Sequence, residues 1–262
     1  MERFKVLIAN DDGIDAPGLR QLAACFSREA DVYVVAPEGE RSSNSHHLTI
    51  KGKIRYEIRE IPGVQKAFAL WGTPADCVHM GLKILVGEKI DLVVSGINRG
   101  RNVSTDIIYS GTIGAAREAF LEGIPAMAVS LASFDSDDYR IASEITLQIA
   151  KAYLKQEKPD YFLNVNIPAL PREEIKGFMV CDGVASILYH DRYFLEEEDG
   201  LNYIRIASDG IQSDLSGEDL RIDIQAVKNG YVSVSPLGND HIRKPSLEKV
   251  RTMLKETEDL AK

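Results

Sequence analysis

Four runs of this chain are apolar without alternation: Lys5–Ala9, Val32–Ala36, Asp91–Gly96 and Ala126–Ser130. They are rich in Val, Ile and Leu, residues that suit a pleated surface. A strand that is apolar at nearly every position needs cover on both faces, and a parallel sheet between two helical layers supplies it. Between the runs, the apolar spacing predicts helices over 19–26, 75–85, 111–121 and 141–155. Alternating strands and helices of this kind indicate an α/β fold built on a mostly parallel sheet. Ile54–Ile58 alternates and reads as an edge strand, with Ala67–Leu70 as its neighbour.

From about Gly177 the texture changes. Tyr189–Leu195 and Asn202–Ala207 flank Glu196-Glu197-Glu198-Asp199-Gly200, where Asp-Gly suits a hairpin turn and the acidic run a solvated tip. Tyr231–Ser235 alternates up to Pro236, and 245–260 reads as a terminal helix. The expected organisation is one unit of 262 residues, with a core over about 1–180 and a hairpin-and-helix arm over about 181–262. Such an arm outside an α/β core is a default oligomerisation element.

A net charge of −9 disfavours a nucleic-acid backbone as the partner, because that requires clustered Lys and Arg. It leaves room for a small anionic substrate if a cation and local amides supply positive field. Cys25, Cys77 and Cys181 are far apart and form no CxxC, so neither a zinc knuckle nor a disulfide framework is indicated. No apolar run is long enough to span a bilayer, and the first strand begins almost at once. The expectation is a soluble cytoplasmic protein.

Chemistry gathers at the predicted strand ends. The first strand runs into Asn10-Asp11-Asp12-Gly13. Ligands of open α/β sheets bind at the carboxyl ends of strands. Two adjacent carboxylates there repel unless a cation or several hydrogen bonds offset them, and a hard divalent metal prefers oxygen ligands. Asp-Asp-Gly also serves as a solvated turn, and the motif alone leaves both readings open. The second strand leads into Pro37–His47, whose hydroxyls, amide and imidazoles read in isolation as a mobile surface loop. Asn98, in Ser95-Gly96-Ile97-Asn98-Arg99-Gly100, offers a neutral oxygen to a metal or an amide donor to a phosphate. Ser110-Gly111-Thr112 opens an Ala-rich helix, and free amides and hydroxyls at a helix start suit an anion. Thr73-Pro74-Ala75-Asp76 reads as a well-formed helix start, with Asp76 capping backbone. Cys77 reads as a small apolar packing residue and His79 as structural or surface; His190 carries no assignment, and His241 is either a surface residue or reaches a site.

Taken in order, these segments resemble the SurE family, the survival-protein nucleotidases. The matching pieces are Asn10-Asp11-Asp12-Gly13 with Pro17-Gly18, Val34-Val35-Ala36-Pro37 with Glu40-Arg41-Ser42 and His46, Gly72–Val78, Ser95–Gly100, Ser110-Gly111-Thr112 and Gly230–Leu237. The resemblance implies a Rossmann-like, three-layer core and a C-terminal arm exchanged between subunits in a homodimer or homotetramer. It implies a divalent-metal-dependent phosphatase acting on nucleoside 5′-monophosphates, with 3′-monophosphates and short polyphosphate as further substrates. By the family pattern Asp11, Asp12, Ser42 and Asn98 hold one Mg²⁺ or Mn²⁺ per subunit, and Ser110, Gly111 and Thr112 hold the phosphate. Asn44 and His46 fall in a substrate loop. Two departures stand out: the loop histidine is flanked by Ser45 and His47 rather than Gly and a small residue, which predicts a stiffer loop, and 182–220 matches poorly.

The expected chemistry is metal-assisted hydrolysis by in-line attack of water, with Asp11, Asp12 and Asn98 as the catalytic set. An unliganded carboxylate oxygen of Asp11 or Asp12, or His46, is the proton acceptor to consider. Phosphatases that form an aspartyl-phosphate typically space two aspartates by one residue, unlike this adjacent pair. The reading from another class is a nucleotide-binding regulatory module without turnover.

Overall fold

The computed structural model describes residues 3–157, 159–183, 185, 189–211, 218–239, 247, 250 and 251. The first half runs β1 (Lys5–Ala9), α1 (Pro17–Phe26), β2 (Asp31–Pro37), β3 (Tyr56–Arg59), β4 (Lys66–Leu70), α2 (Pro74–Met80), a π-helical turn at Gly81–Leu85 and β5 (Leu92–Arg99). It continues with α3 (Asp106–Tyr109), α4 (Gly111–Leu121), β6 (Ala126–Leu131), α5 (Arg140–Tyr153), β7 (Phe162–Ile167) and β8 (Phe178–Val180). Last come β9 (Tyr189–Glu198), β10 (Leu201–Ile211), α6 (Asp223–Lys228) and β11 (Val232–Leu237).

Nine strands form one sheet in the order β3-β4-β2-β1-β5-β6-β7-β11-β8. Pairings from β4 to β7 are parallel, while β3 on β4 and β11 on β7 are antiparallel. Successive side chains of a strand face opposite ways, and the core divides accordingly. Val6, Ile8, Val32, Val34 and Val94 pack with Leu19, Leu22 and Phe26 of α1 and Ile145 of α5. Leu7, Ala9, Val35 and Val93 pack with Cys77 and Val78 of α2 and Ile113 and Ala116 of α4. The three layers follow from strands that are apolar on both faces, as the sequence predicts.

The chain goes outward from β1 to β2 and β4, then returns to place β5 on the other side of β1. The strand order therefore reverses at the β1–β5 pair, and in open α/β sheets ligands bind at the carboxyl ends of the strands flanking such a reversal.

The end of the chain differs from a core with a separate arm. β9 and β10 form their own two-stranded sheet, but α6 packs on β11 and β11 enters the main sheet between β7 and β8. The hairpin turns at Asp199-Gly200, both at positive φ (52° and 76°), as the sequence predicts. Glu196, Glu197 and Glu198 belong to β9 itself, paired with Tyr203, Asn202 and Leu201. Of the helix expected over 245–260, residues 247, 250 and 251 are described and are helical; its other positions, and His241, lie outside the described residues.

Candidate active site

Asn10, Asp11 and Asp12 follow β1 in turn and Asn98 lies near the end of β5, so the fold places both segments at the β1–β5 reversal. The Asp-Asp-Gly turn is held from beneath. Asn10 donates from Nδ2 to Gly13 O (2.8 Å) and accepts from Gly13 N at Oδ1 (3.2 Å). This leaves the carboxylates to the rim. Asp11 is buried and accepts from Thr112 N at 3.1 Å and Thr112 Oγ1 at 2.6 Å. Asp12 accepts from Arg99 N at 3.1 Å. Asn98 spends its amide nitrogen on Gly100 O (2.7 Å), and among the described residues nothing donates to its side-chain oxygen.

Ser110 caps α4 by accepting from Ile113 N at 3.2 Å. Gly114 N reaches Ser110 O, and Thr112 N is taken by Asp11. Among the described residues the N–H of Gly111 has no acceptor, so it is the free donor of this first turn. Thr112 is fully buried with both donors committed to Asp11. The trio expected to hold phosphate thus divides: Ser110 and Gly111 sit at the helix start, while Thr112 tethers a carboxylate.

Both aspartates hold their protons more tightly than ordinary carboxylates. Burial raises Asp11, with the Thr112 hydrogen bonds pulling the other way. Asp12 is pushed up to about 7, first by burial and then by the charge of Asp11. A buried carboxylate whose charge raises its neighbour calls for a compensating proton or cation.

The 37–47 segment is tied down along its length rather than mobile. Ile14 N donates to Pro37 O (2.8 Å) and Arg41 N to Asp11 O (2.7 Å), which brings Ser42 beside the aspartates. Ser42 Oγ donates to Glu40 Oε1 at 2.7 Å, and Asn44 Nδ2 turns back to Arg41 O at 2.8 Å. Ser45 bonds Tyr109 O through its N–H and Ile108 O through its hydroxyl. Farther on, Thr73 Oγ1 donates to His47 O (2.5 Å), and Thr49 donates twice to Asp76, which also completes the capping box of α2. Gly114 makes the contact feasible, since a Cβ there would lie 2.2 Å from Ser45 O.

His46 turns away from the helix start. Its Nε2 lies 2.8 Å from Glu118 Oε2, and His79 Nδ1 lies 2.7 Å from Glu118 Oε1. Glu118 is seven residues beyond Gly111, about 10 Å along α4, so His46 is poorly placed as proton acceptor at the carboxylates. The two imidazoles hold Glu118 below the usual carboxylate range, His46 contributing most. Glu122 stands one turn on, 3.7 Å from His79 and paired with Lys83. Ligating atoms of His79, Glu118 and Glu122 all lie within 4.8 Å of one another, a second place that could hold a metal. The sequence reading missed this cluster. Its signal was the spacing of Glu118 and Glu122, which puts both on one helix face.

Glu118 is 6% exposed and both its oxygens are used. Glu118→Gln keeps one acceptor and sets an NH₂ against the other imidazole. The expected cost is about 1–3 kcal/mol in chemical denaturation, with faster proteolysis within 41–47. Unchanged stability and cleavage would remove Glu118 as the clamp.

The model of the survival protein SurE family matches residues 6–188. The chain is 42% identical over 255 residues to the 5′-nucleotidase SurE of Geobacter metallireducens, covering 95% of this chain and 97% of that protein. The chain belongs to the SurE family. The 5′-nucleotidase SurE of Gloeobacter violaceus is 41% identical over 250 residues, covering 93% of each chain. The crystal structure of the SurE protein from Aquifex aeolicus superimposes with a TM-score of 0.79 at 34% identity, covering 95% of this chain and 99% of that one. Membership accounts for the order of the strand-end motifs, which no single segment explains. Among the described residues no helix is long and apolar enough to cross a membrane.

Proposed function

We propose that this chain is a divalent-metal-dependent 5′-nucleotidase that hydrolyses nucleoside 5′-monophosphates to nucleoside and phosphate. The observation that carries this reading is the pair of raised carboxylates, Asp11 and Asp12, at the start of α4 and at the strand-order reversal. The donor set fits a hard cation: two carboxylates, the Asn98 amide oxygen and the Ser42 hydroxyl are all oxygens. The His79–Glu118–Glu122 cluster fits a softer ion and sits away from the helix start.

Asp11, Asp12, Ser42 and Asn98 would hold Mg²⁺ or Mn²⁺, which when bound polarises a phosphoryl oxygen and acidifies a water. The chain's own groups do the rest. Thr112 and Arg99 fix the two carboxylates through hydrogen bonds. The Gly111 N–H and the Ser110 hydroxyl, at the positive end of α4, suit the equatorial phosphoryl oxygens as charge develops. Asn44 shapes the Arg41–Ser42 turn rather than reaching outward.

A homo-oligomer formed through the hairpin belongs to the same reading. Tyr193 faces Ile206 and Leu195 faces Ile204 across the two strands, and all four are more than 60% exposed. An apolar hairpin face of that kind supports burial against another subunit.

The test is phosphate release from a panel of nucleoside 5′- and 3′-monophosphates and short polyphosphate, with Mg²⁺, Mn²⁺ or EDTA. The expected result is release from 5′-monophosphates that EDTA abolishes. Nucleotide binding without release under any metal would favour the regulatory module instead.

A further inference from the structure

The geometry points to a nucleobase subsite on Phe134, at the rim beside Asn98 and Asp12. This rests on the nucleotidase reading and names the part of the substrate that the strand-end motifs leave unread.

Phe134 is a large aromatic residue left 62% exposed. Gly100, just past β5, has φ +96° and carries the ring: a Cβ there would lie 2.3 Å from Phe134 Cε1 and 2.5 Å from Cζ. Only a glycine lets the ring come this close to the backbone. The turn that presents it is held on several sides. Arg99 Nε donates to Phe134 O at 2.8 Å, and Gly100 N and Ser133 N both donate to Leu131 O. Ser133 Oγ accepts from Asp135 N at 3.1 Å and Ser136 N at 3.2 Å. The turn that carries the ring is therefore held before any ligand arrives, which lowers the ordering cost of binding.

The same backbone reaches the carboxylates. Arg99 N donates to Asp12 and Asn98 Nδ2 to Gly100 O. Gly100 is two residues from Asn98, at most about 7 Å of chain, comparable with the ribose that separates a base from its 5′-phosphate. A phosphate beside Asn98 and Asp12 thus leaves its base within reach of Phe134. Stacking of this kind accepts every base and favours those with larger rings, so purine nucleotides should bind tighter than pyrimidine nucleotides. Tyr109, also 62% exposed and directly before Ser110, is the rival platform.

Phe134→Ala, Phe134→Trp and Tyr109→Ala are compared with the wild type in two assays. Adenosine binding, read by ligand-observed NMR, needs neither metal nor turnover. Steady-state kinetics on AMP and on ribose 5-phosphate, which lacks a base, separates stacking from phosphate handling. Phe134→Ala should weaken adenosine binding and raise KM for AMP about tenfold, leave ribose 5-phosphate unchanged and narrow the gap between AMP and CMP. Phe134→Trp should keep wild-type affinity. Wild type that binds no adenosine, equal losses on AMP and ribose 5-phosphate, or a loss confined to Tyr109→Ala would each overturn the subsite. Adenosine bound through Phe134 by a protein that cleaves no ester would instead defeat the nucleotidase reading and leave the subsite standing.

Discussion

Asp12→Asn is expected to lower kcat/KM for AMP by about 100-fold or more, with the fold intact. Removing even an outer partner of a metal ligand costs about 10–100-fold, and Asp12 is proposed as a ligand itself. Asparagine is the informative replacement. It keeps the shape and an acceptor for Arg99 N, so the β5 end stays in register while one negative charge is lost. Asp11→Asn is less clean, because both Asp11 oxygens also tether Thr112, and the start of α4 would respond together with the chemistry. Mn²⁺ titrations of activity should show weakened metal dependence in Asp12→Asn. Glu122→Gln, in the separate His79–Glu118–Glu122 cluster, should leave activity and metal dependence alone. Near-wild-type turnover in Asp12→Asn combined with a loss in Glu122→Gln would move the essential cation to that cluster.

Most of the sheet was legible because its strands are apolar at almost every position. β7 is the instructive exception, since Phe162-Leu163-Asn164-Val165-Asn166-Ile167 is broken by two asparagines. Both are fully buried, and both donate from Nδ2 to Asn102 O. Asn102 N returns a bond to Asn166 Oδ1 at 2.7 Å. A buried amide network that pins the loop after β5 looks polar in sequence, because its partner lies 62 and 64 residues away; among the described residues only Asn164 Oδ1 of the two side chains is left without a partner. β11 runs past the expected stop at Pro236 for a related reason. Pro236 faces Leu163 of β7, but β8 pairs only as far as Val234, so the missing N–H of Pro236 falls where the ladder on that side has ended.

The site was legible as a set of strand ends and less so in its contacts. Asp11, Asp12 and Asn98 stand where the sequence predicts, because the carboxyl ends of parallel strands converge whatever the side chains do. Thr112 and His46 fell elsewhere for reasons of distance in the chain. Thr112 is claimed by a carboxylate 101 residues earlier and His46 by one 72 residues later. Local motif reading assigns such side chains to the nearest ligand and cannot see the competing partner.

The second large effect is on stability. Thermal unfolding should show Mn²⁺ or Mg²⁺ stabilising the protein by several degrees at pH 8 and hardly at all at pH 5.5. Asp12 titrates at about 7 in the folded chain against the ordinary 3.8. A raised folded value means that the native state binds the proton more tightly than the unfolded chain does. Its contribution to stability is therefore complete below about pH 4 and is lost as pH rises to about 7, an effect of a few kcal/mol. Asp11 is shifted in the same direction by burial. Metal-free protein should lose stability across that window. A cation binds only the ionised pair, so its stabilisation grows as the protons leave. Glu118 shifts the other way, held down by His46 and His79, which pair with it as ions only when protonated. The Asp12→Asn comparison, rather than the pH window alone, therefore isolates the aspartate effect. Asp12→Asn should flatten both the metal-free decline and the growth of the metal shift. Equal metal stabilisation at the two pH values, or a pH profile untouched by Asp12→Asn, would mean that the cation is held by groups already ionised at pH 5.5, and the Asp11–Asp12 pair would no longer be its site.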